Sequence, residues 1–126
     1  MTESLLERPR TAGEPVWFRV CRVDELEAGW GEAALLDDRQ VAVIRVAGDE
    51  VYAVSHRDPA TGAHVMARGI VGSRTRRGEE RATIASPLHK QVYDLATGEC
   101  YSAPELHLPT YPAQVVDGYV EVGIAR

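Results

Sequence analysis

Apolar residues in this chain recur in short runs, most of them at alternating positions. Val16, Phe18 and Val20 alternate with Trp17 and Arg19, the period-two arrangement of a half-buried strand. Asp24 to Ala28 predicts one helical turn, ended by Gly29 and Gly31. Glu32 to Leu36 predicts a short strand, and Asp37–Asp38 turns the chain into Gln40–Val46. The run Val41-Ala-Val-Ile-Arg-Val46 is strongly β-prone. Gly48–Asp49 then turns the chain into a further strand, Val51 to Val54.

Ser55 to Glu80 shows no clear period and holds Pro59, Gly62, Gly69, Gly72 and Gly78. It reads as one long loop, and loops of that length are uncommon unless they have a job. Arg81–Ala85 returns to β character, Ser86–Lys90 is a second loop, Gln91–Asp94 is a strand and Thr97–Gly98 a turn. Val115 to Val120, with Asp117-Gly118 between the two arms, predicts a two-residue hairpin. Many short strands at close spacing indicate an all-β fold, an antiparallel sandwich or barrel. Residues 15–126 are expected to form a single domain, and 1–14 a flexible N-terminal tail.

Composition narrows the function. At 126 residues there is room for one core, large enough to fold without a disulfide or metal. The net charge of −5 argues against nucleic-acid binding. No apolar run approaches a membrane span or the core of a signal peptide, so a cytoplasmic protein with no membrane partner is expected. Cys21 and Cys100 form no C-x-x-C pair and read as small apolar residues in a reducing compartment. Trp17, Trp30, Tyr52, Tyr93 and Tyr119 read as core or strand-face residues. The chain lacks Gly-x-Gly-x-x-Gly, a phosphate-cradling Gly-Lys loop and a G-x-S-x-G turn, which removes the usual nucleotide and nucleophile motifs.

Two loops carry the chemical question: Ser55-His56-Arg57-Asp58-Pro59-Ala60-Thr61-Gly62-Ala63, and Ser86-Pro87-Leu88-His89-Lys90-Gln91 continuing through Tyr93-Asp94 to Thr97-Gly98. Pro59 and Pro87 restrict Asp58 and Ser86 to extended backbone. The side chains of those two residues are suited to accept N–H bonds within their turns. Together the loops resemble the paired cluster-binding loops of the Rieske family, where Cys-Pro-His is matched by Cys-Pro-x-His, an aromatic, Asp and Thr-Gly. The resemblance implies a Rieske-like antiparallel fold with a small ligand-loop subdomain near Ser55–Gly98. A Rieske centre takes two thiolates on one iron and two imidazoles on the other. The positions matching those four ligands are Asp58, Ala60, Ser86 and His89. Only the last keeps its donor, so the resemblance implies no cofactor and no metal in this chain.

Asp-Pro-x-x-Gly-Ala, then Arg68-Gly-Ile-Val-Gly72, then Ser-Pro-Leu-x-Lys-Gln resembles one branch of that family, the small subunit of assimilatory NAD(P)H nitrite reductase. This implies a non-catalytic accessory subunit. Its partner would be a large subunit carrying FAD, the NAD(P)H site, an iron–sulfur cluster and siroheme, which reduces nitrite to ammonium with six electrons. Asp58, His89 and Lys90 on the loops, with Arg74, Arg76 and Arg77 between them, are the candidate docking residues. His89 itself can be read as a relict ligand, a proton donor or a contact residue. Three other readings stand beside this one: a Rieske-type ferredoxin electron carrier, a Rieske-derived interaction module for another redox enzyme, and a small metal enzyme using His56, Asp58 and His89, with His64 nearby.

Overall fold

The uninterrupted apolar run Val41 to Ile44 sits on a strand that is covered on both faces. In the computed structural model, which describes residues 15–88 and 90–125, all four of these side chains are fully buried. Val41 and Val43 face a core with Leu26, Leu36, Val51, Val120, Val122 and Ile124. Ala42 and Ile44 face the opposite core with Met66, Ile84, Tyr93, Leu95 and Leu108. A strand buried on both sides has no polar face to show, which is why the sequence run does not alternate. Each such Val or Ile contributes roughly 1.5–3 kcal/mol on leaving water.

The described residues form ten strands: β1 (Val16–Arg22), β2 (Trp30–Leu36), β3 (Arg39–Ala47), β4 (Glu50–Ser55), β5 (Ile70–Arg76), β6 (Glu79–Ala85), β7 (Val92–Asp94), β8 (Thr110–Tyr111), β9 (Ala113–Val116) and β10 (Tyr119–Ile124). They make three antiparallel sheets, ordered β1-β10-β9, β2-β3-β4-β8 and β5-β6-β7. The chain is all-β, as the spacing of the runs predicts. The third sheet and the loops at its end are the expected subdomain near Ser55–Gly98. The expected tail over residues 1–14 lies outside the described residues, as does His89.

Two turns follow directly from their residues. Asp117 and Gly118 have φ of 53° and 80°, the left-handed pair that a two-residue hairpin needs. Asp37 and Asp38 do the same between β2 and β3, at φ 52° and 69°, a conformation that Asp tolerates better than most residues.

The structure corrects three expectations. Ser55–Glu80 is not one loop: it contains a 3-10 turn, Met66–Arg68, all of β5 and the start of β6. Gly72 and a row of exposed polar residues mask the alternation of these strands in the sequence. The helical turn expected at Asp24–Ala28 is a 3-10 turn at Val23–Glu25. β2 begins at Trp30 and not at Glu32, so Gly31 lies within the strand and does not end the preceding turn, and Trp30 is a strand-face residue as expected, 63% exposed.

Candidate functional site

Each of the two loops is closed by its own backbone. In the first, the Asp58 N–H donates to the Ala63 carbonyl at 2.7 Å and the Gly62 N–H to the Asp58 carbonyl at 2.7 Å. In the second, the Ser86 N–H donates to the Gln91 carbonyl at 2.9 Å and the Lys90 N–H to the Ser86 carbonyl at 3.0 Å. Side chains add the expected turn bonds. Asp58 Oδ1 accepts the Ala60 N–H at 2.9 Å, and Ser86 Oγ accepts the Leu88 N–H at 3.3 Å.

The loops are joined through the same two side chains. Ser86 Oγ donates to Asp58 Oδ2 at 2.5 Å, the length of a hydroxyl bound to a carboxylate. Both residues are buried, at 0% and 1% exposure. Tyr93 lies in the same interior, fully buried. Burial, with Cys100 and Asp58 close by, pushes its hydroxyl up to about 12.

The described members of the expected docking set lie in two places. Asp58 is fully buried in this chain, with its side chain turned into the loops and away from solvent. Lys90 is exposed in the second loop, at φ 60°. The cationic residues lie elsewhere. Ile70 pairs with Ala85 at the loop end of the β5–β6 hairpin, and Arg76 pairs with Glu79 at its tip. Six residues of strand place that tip about 20 Å from the loops.

At the tip, the cations are largely engaged within the chain. Arg74 and Arg76 stack on Tyr101 at 4.9 and 5.1 Å, and Arg76 pairs with Glu99 at 2.6 Å. Arg81 grips Asp94 with two bonds of 2.8 and 3.1 Å, while Tyr101 donates to the same carboxylate at 2.6 Å. Burial alone would raise Asp94. Arg81, Tyr101 and the Thr97 and Ala96 N–H groups overcome it and hold the carboxyl well below the usual range. A cleft of about 370 Å³ at this tip is lined by Arg76, Arg77, Glu79, Arg81, Asp94 and Glu99.

His56 is also committed. Its Nδ1 accepts the Ala67 N–H at 3.0 Å, and burial, followed by His64 and Arg68, lowers its pKa. With one His56 nitrogen on backbone and both Asp58 oxygens occupied, a metal site from those two residues would require their bonds to break. Among the described residues no His, Cys, Asp and Glu cluster is arranged to hold a metal ion. Cys21 and Cys100 are free thiols. Cys100 is buried as expected, whereas Cys21 is only half-buried; burial, then Glu25 and Glu32, raises its pKa.

Residues 16–123 match the family model described as the Rieske-like [2Fe-2S] domain. The chain is 36% identical over 107 residues to the nitrite reductase (NADH) small subunit of Escherichia coli K12, covering 84% of this chain and 95% of that protein. It belongs to the Rieske-like family that contains the nitrite reductase small subunits. The solution structure of the nitrite reductase [NAD(P)H] small subunit from Erwinia carotovora superimposes with a TM-score of 0.73 at 36% identity, over 87% of this chain and 82% of that one. A third relative is a nitrite reductase [NAD(P)H] large subunit from Klebsiella oxytoca, 35% identical over 116 residues. The match takes in 88% of this chain but 12% of the Klebsiella protein, so the same domain occurs there inside a large-subunit polypeptide.

The family's [2Fe-2S] group can be tested against this Rieske-like chain. At the positions that the resemblance matches to the family's ligands, Ala60 offers no donor, and Asp58 and Ser86 offer a carboxylate and a hydroxyl in place of two thiolates. Those two groups are bonded to each other. The described residues at these positions do not fit the cluster. The sequence alone indicates which residue types stand at the matched positions, but not that two of them bond together: no local pattern links residues 28 apart.

Proposed function

We propose that this chain is the accessory, non-catalytic small subunit of a cytoplasmic NAD(P)H-dependent nitrite reductase. In this reading it carries no cluster. A large subunit holds the FAD, the NAD(P)H site, the iron–sulfur cluster and the siroheme, and reduces nitrite to ammonium for assimilation. The observation that carries the reading is the Ser86–Asp58 bond at 2.5 Å. It holds together two loops that a cluster would otherwise link, so the domain keeps a Rieske shape without Rieske redox chemistry. An electron-carrying ferredoxin would need those positions for ligands. The similarity to nitrite reductase small subunits, covering 95% of the Escherichia coli protein, and the domain within a large-subunit chain support the identity of the partner.

The test is co-expression with a siroheme-containing large subunit from the same genome. The expected result is co-purification, with NAD(P)H-dependent nitrite reduction that falls when this chain is omitted. A large subunit that never associates and works fully alone would refute the reading. Iron analysis of the purified small subunit gives a separate check, with no iron expected.

A further inference from the structure

A sheet edge normally presents unpaired N–H and C=O groups, and proteins blunt such edges with charges, prolines, bulges or brevity. Among the described residues, five of the six sheet edges are blunted in this way. β1 carries Arg19 and Arg22 and a register shift between Arg19 and Cys21. β5 carries Arg74 and Arg76. β7 has three residues, β8 two, and β9 four that follow Pro112.

β2 is the exception. It is seven residues long, pairs with β3 in unbroken register from Trp30↔Arg45 to Leu36↔Arg39, and carries Glu32 as its single charge. Its exposed side chains are unusually apolar: Trp30 is 63% and Leu35 70% exposed. Gly31, Ala33 and Leu35 share one face, and a cleft of about 520 Å³ opens there between Trp30, His56 and Arg68. The strand is held firmly from behind. A Cβ on Gly31 would meet the Ile44 side chain and stand 2.8 Å from the Ala67 carbonyl oxygen.

We propose that β2 is the docking edge for the large subunit, which adds an extended segment to this sheet as a fifth strand. Main-chain bonds along the edge would supply affinity, and apolar side chains over Ala33 and Leu35 the specificity. The inference rests on the small-subunit reading. Two observations choose the occupant. The domain's presence inside a large-subunit polypeptide places that subunit against this fold. A second copy is disfavoured by charge, because Glu25 and Glu32 line one cleft beside the edge and self-pairing would bring four carboxylates together. The incoming strand should therefore carry a Lys or Arg opposite Glu32.

The experiment measures binding of the co-expressed large subunit to three small subunits: wild type, Ala33→Lys/Leu35→Lys and Arg76→Glu/Arg77→Glu. Ala33 and Leu35 are exposed, and circular dichroism checks that the variant folds. We expect the lysine pair to weaken binding about tenfold or more, equivalent to about 1.4 kcal/mol, with the arginine variant near wild type. Amide exchange on the wild-type complex should show protection at Trp30–Leu36, and this does not depend on any variant. Undiminished binding by the lysine pair, or unchanged exchange along β2, overturns the docking edge while leaving the subunit reading intact. Loss of binding confined to the arginine variant moves the interface to the hairpin tip. A wild-type homodimer abolished by the lysine pair would make the occupant a second copy. A wild type that never binds the large subunit refutes the small-subunit reading, and the docking edge falls with it.

Discussion

Ser86 Oγ donates to Asp58 Oδ2 at 2.5 Å across 28 residues of chain, and this one bond ties together the loops that define the Rieske-like end of the molecule. Ser86→Ala would leave a buried carboxylate oxygen without its partner. A loss of about 1–3 kcal/mol is expected, read from urea unfolding. Asp58→Asn keeps an acceptor for the Ala60 N–H and should cost less. Equal stability in all three proteins would show that the loops are held by their backbone bonds alone.

Asp58, Ala60 and Ser86 stand at the positions that the resemblance matches to three of the family's four ligands. Asp58→Cys, Ala60→His and Ser86→Cys together restore the missing ligand types, leaving the native His89 as the fourth. After reconstitution with iron and sulfide, the triple variant is expected to bind iron and show the absorption and paramagnetic signals of a [2Fe–2S] centre. The wild type treated identically should stay colourless. A colourless triple variant would mean that the loops have moved too far apart to clasp a cluster.

Asp94 joins Arg81, Tyr101 and two backbone N–H groups at the hairpin. Its carboxyl lies well below the usual range, so the stability it contributes is complete above the ordinary value of about 4. That stability is lost as pH falls through the lowered folded value. Asp94→Asn should cost about 2 kcal/mol at neutral pH and flatten the fall in the urea midpoint below about pH 4. An unchanged acid slope would rule out Asp94 as its source.

His56 runs the same way with a base. Burial first, then His64 and Arg68, lowers its pKa, and its Nδ1 must stay unprotonated to accept the Ala67 N–H. Its contribution is complete above the ordinary value of about 6.5 and is lost as pH falls through the lower folded value. Ring-proton NMR should give a midpoint below about 6.5, with the Ala67 amide resonance moving at the same pH. A midpoint at or above the ordinary value would refute the bond as drawn.

How much of this was legible beforehand differs by element. The hairpin at Asp117-Gly118 was plain because its turn demands positive φ at both residues. β5 was hidden because its cues, Gly72, Ser73, Arg74, Thr75 and Arg76, are those of a loop; only pairing with β6 makes it a strand. The docking candidates divided for a related reason. Asp58 and Arg76 look alike as charged loop residues, yet one is sealed inside and the other lies at a hairpin tip about 20 Å from the loops.

By itself, then, the sequence determined the β character of most strands, the family resemblance of the two loops and the residue types, Asp58, Ala60 and Ser86, that stand at the matched ligand positions. Each of these is a matter of residue type and near-neighbour spacing, which the linear order records. The tertiary structure decided that Ser86 bonds to Asp58, which charges are spent internally on Tyr101, Glu99 and Asp94, and that among the described residues β2 is an apolar sheet edge. Those outcomes depend on which distant segments pack together, since burial and hydrogen bonding are settled by neighbours in space.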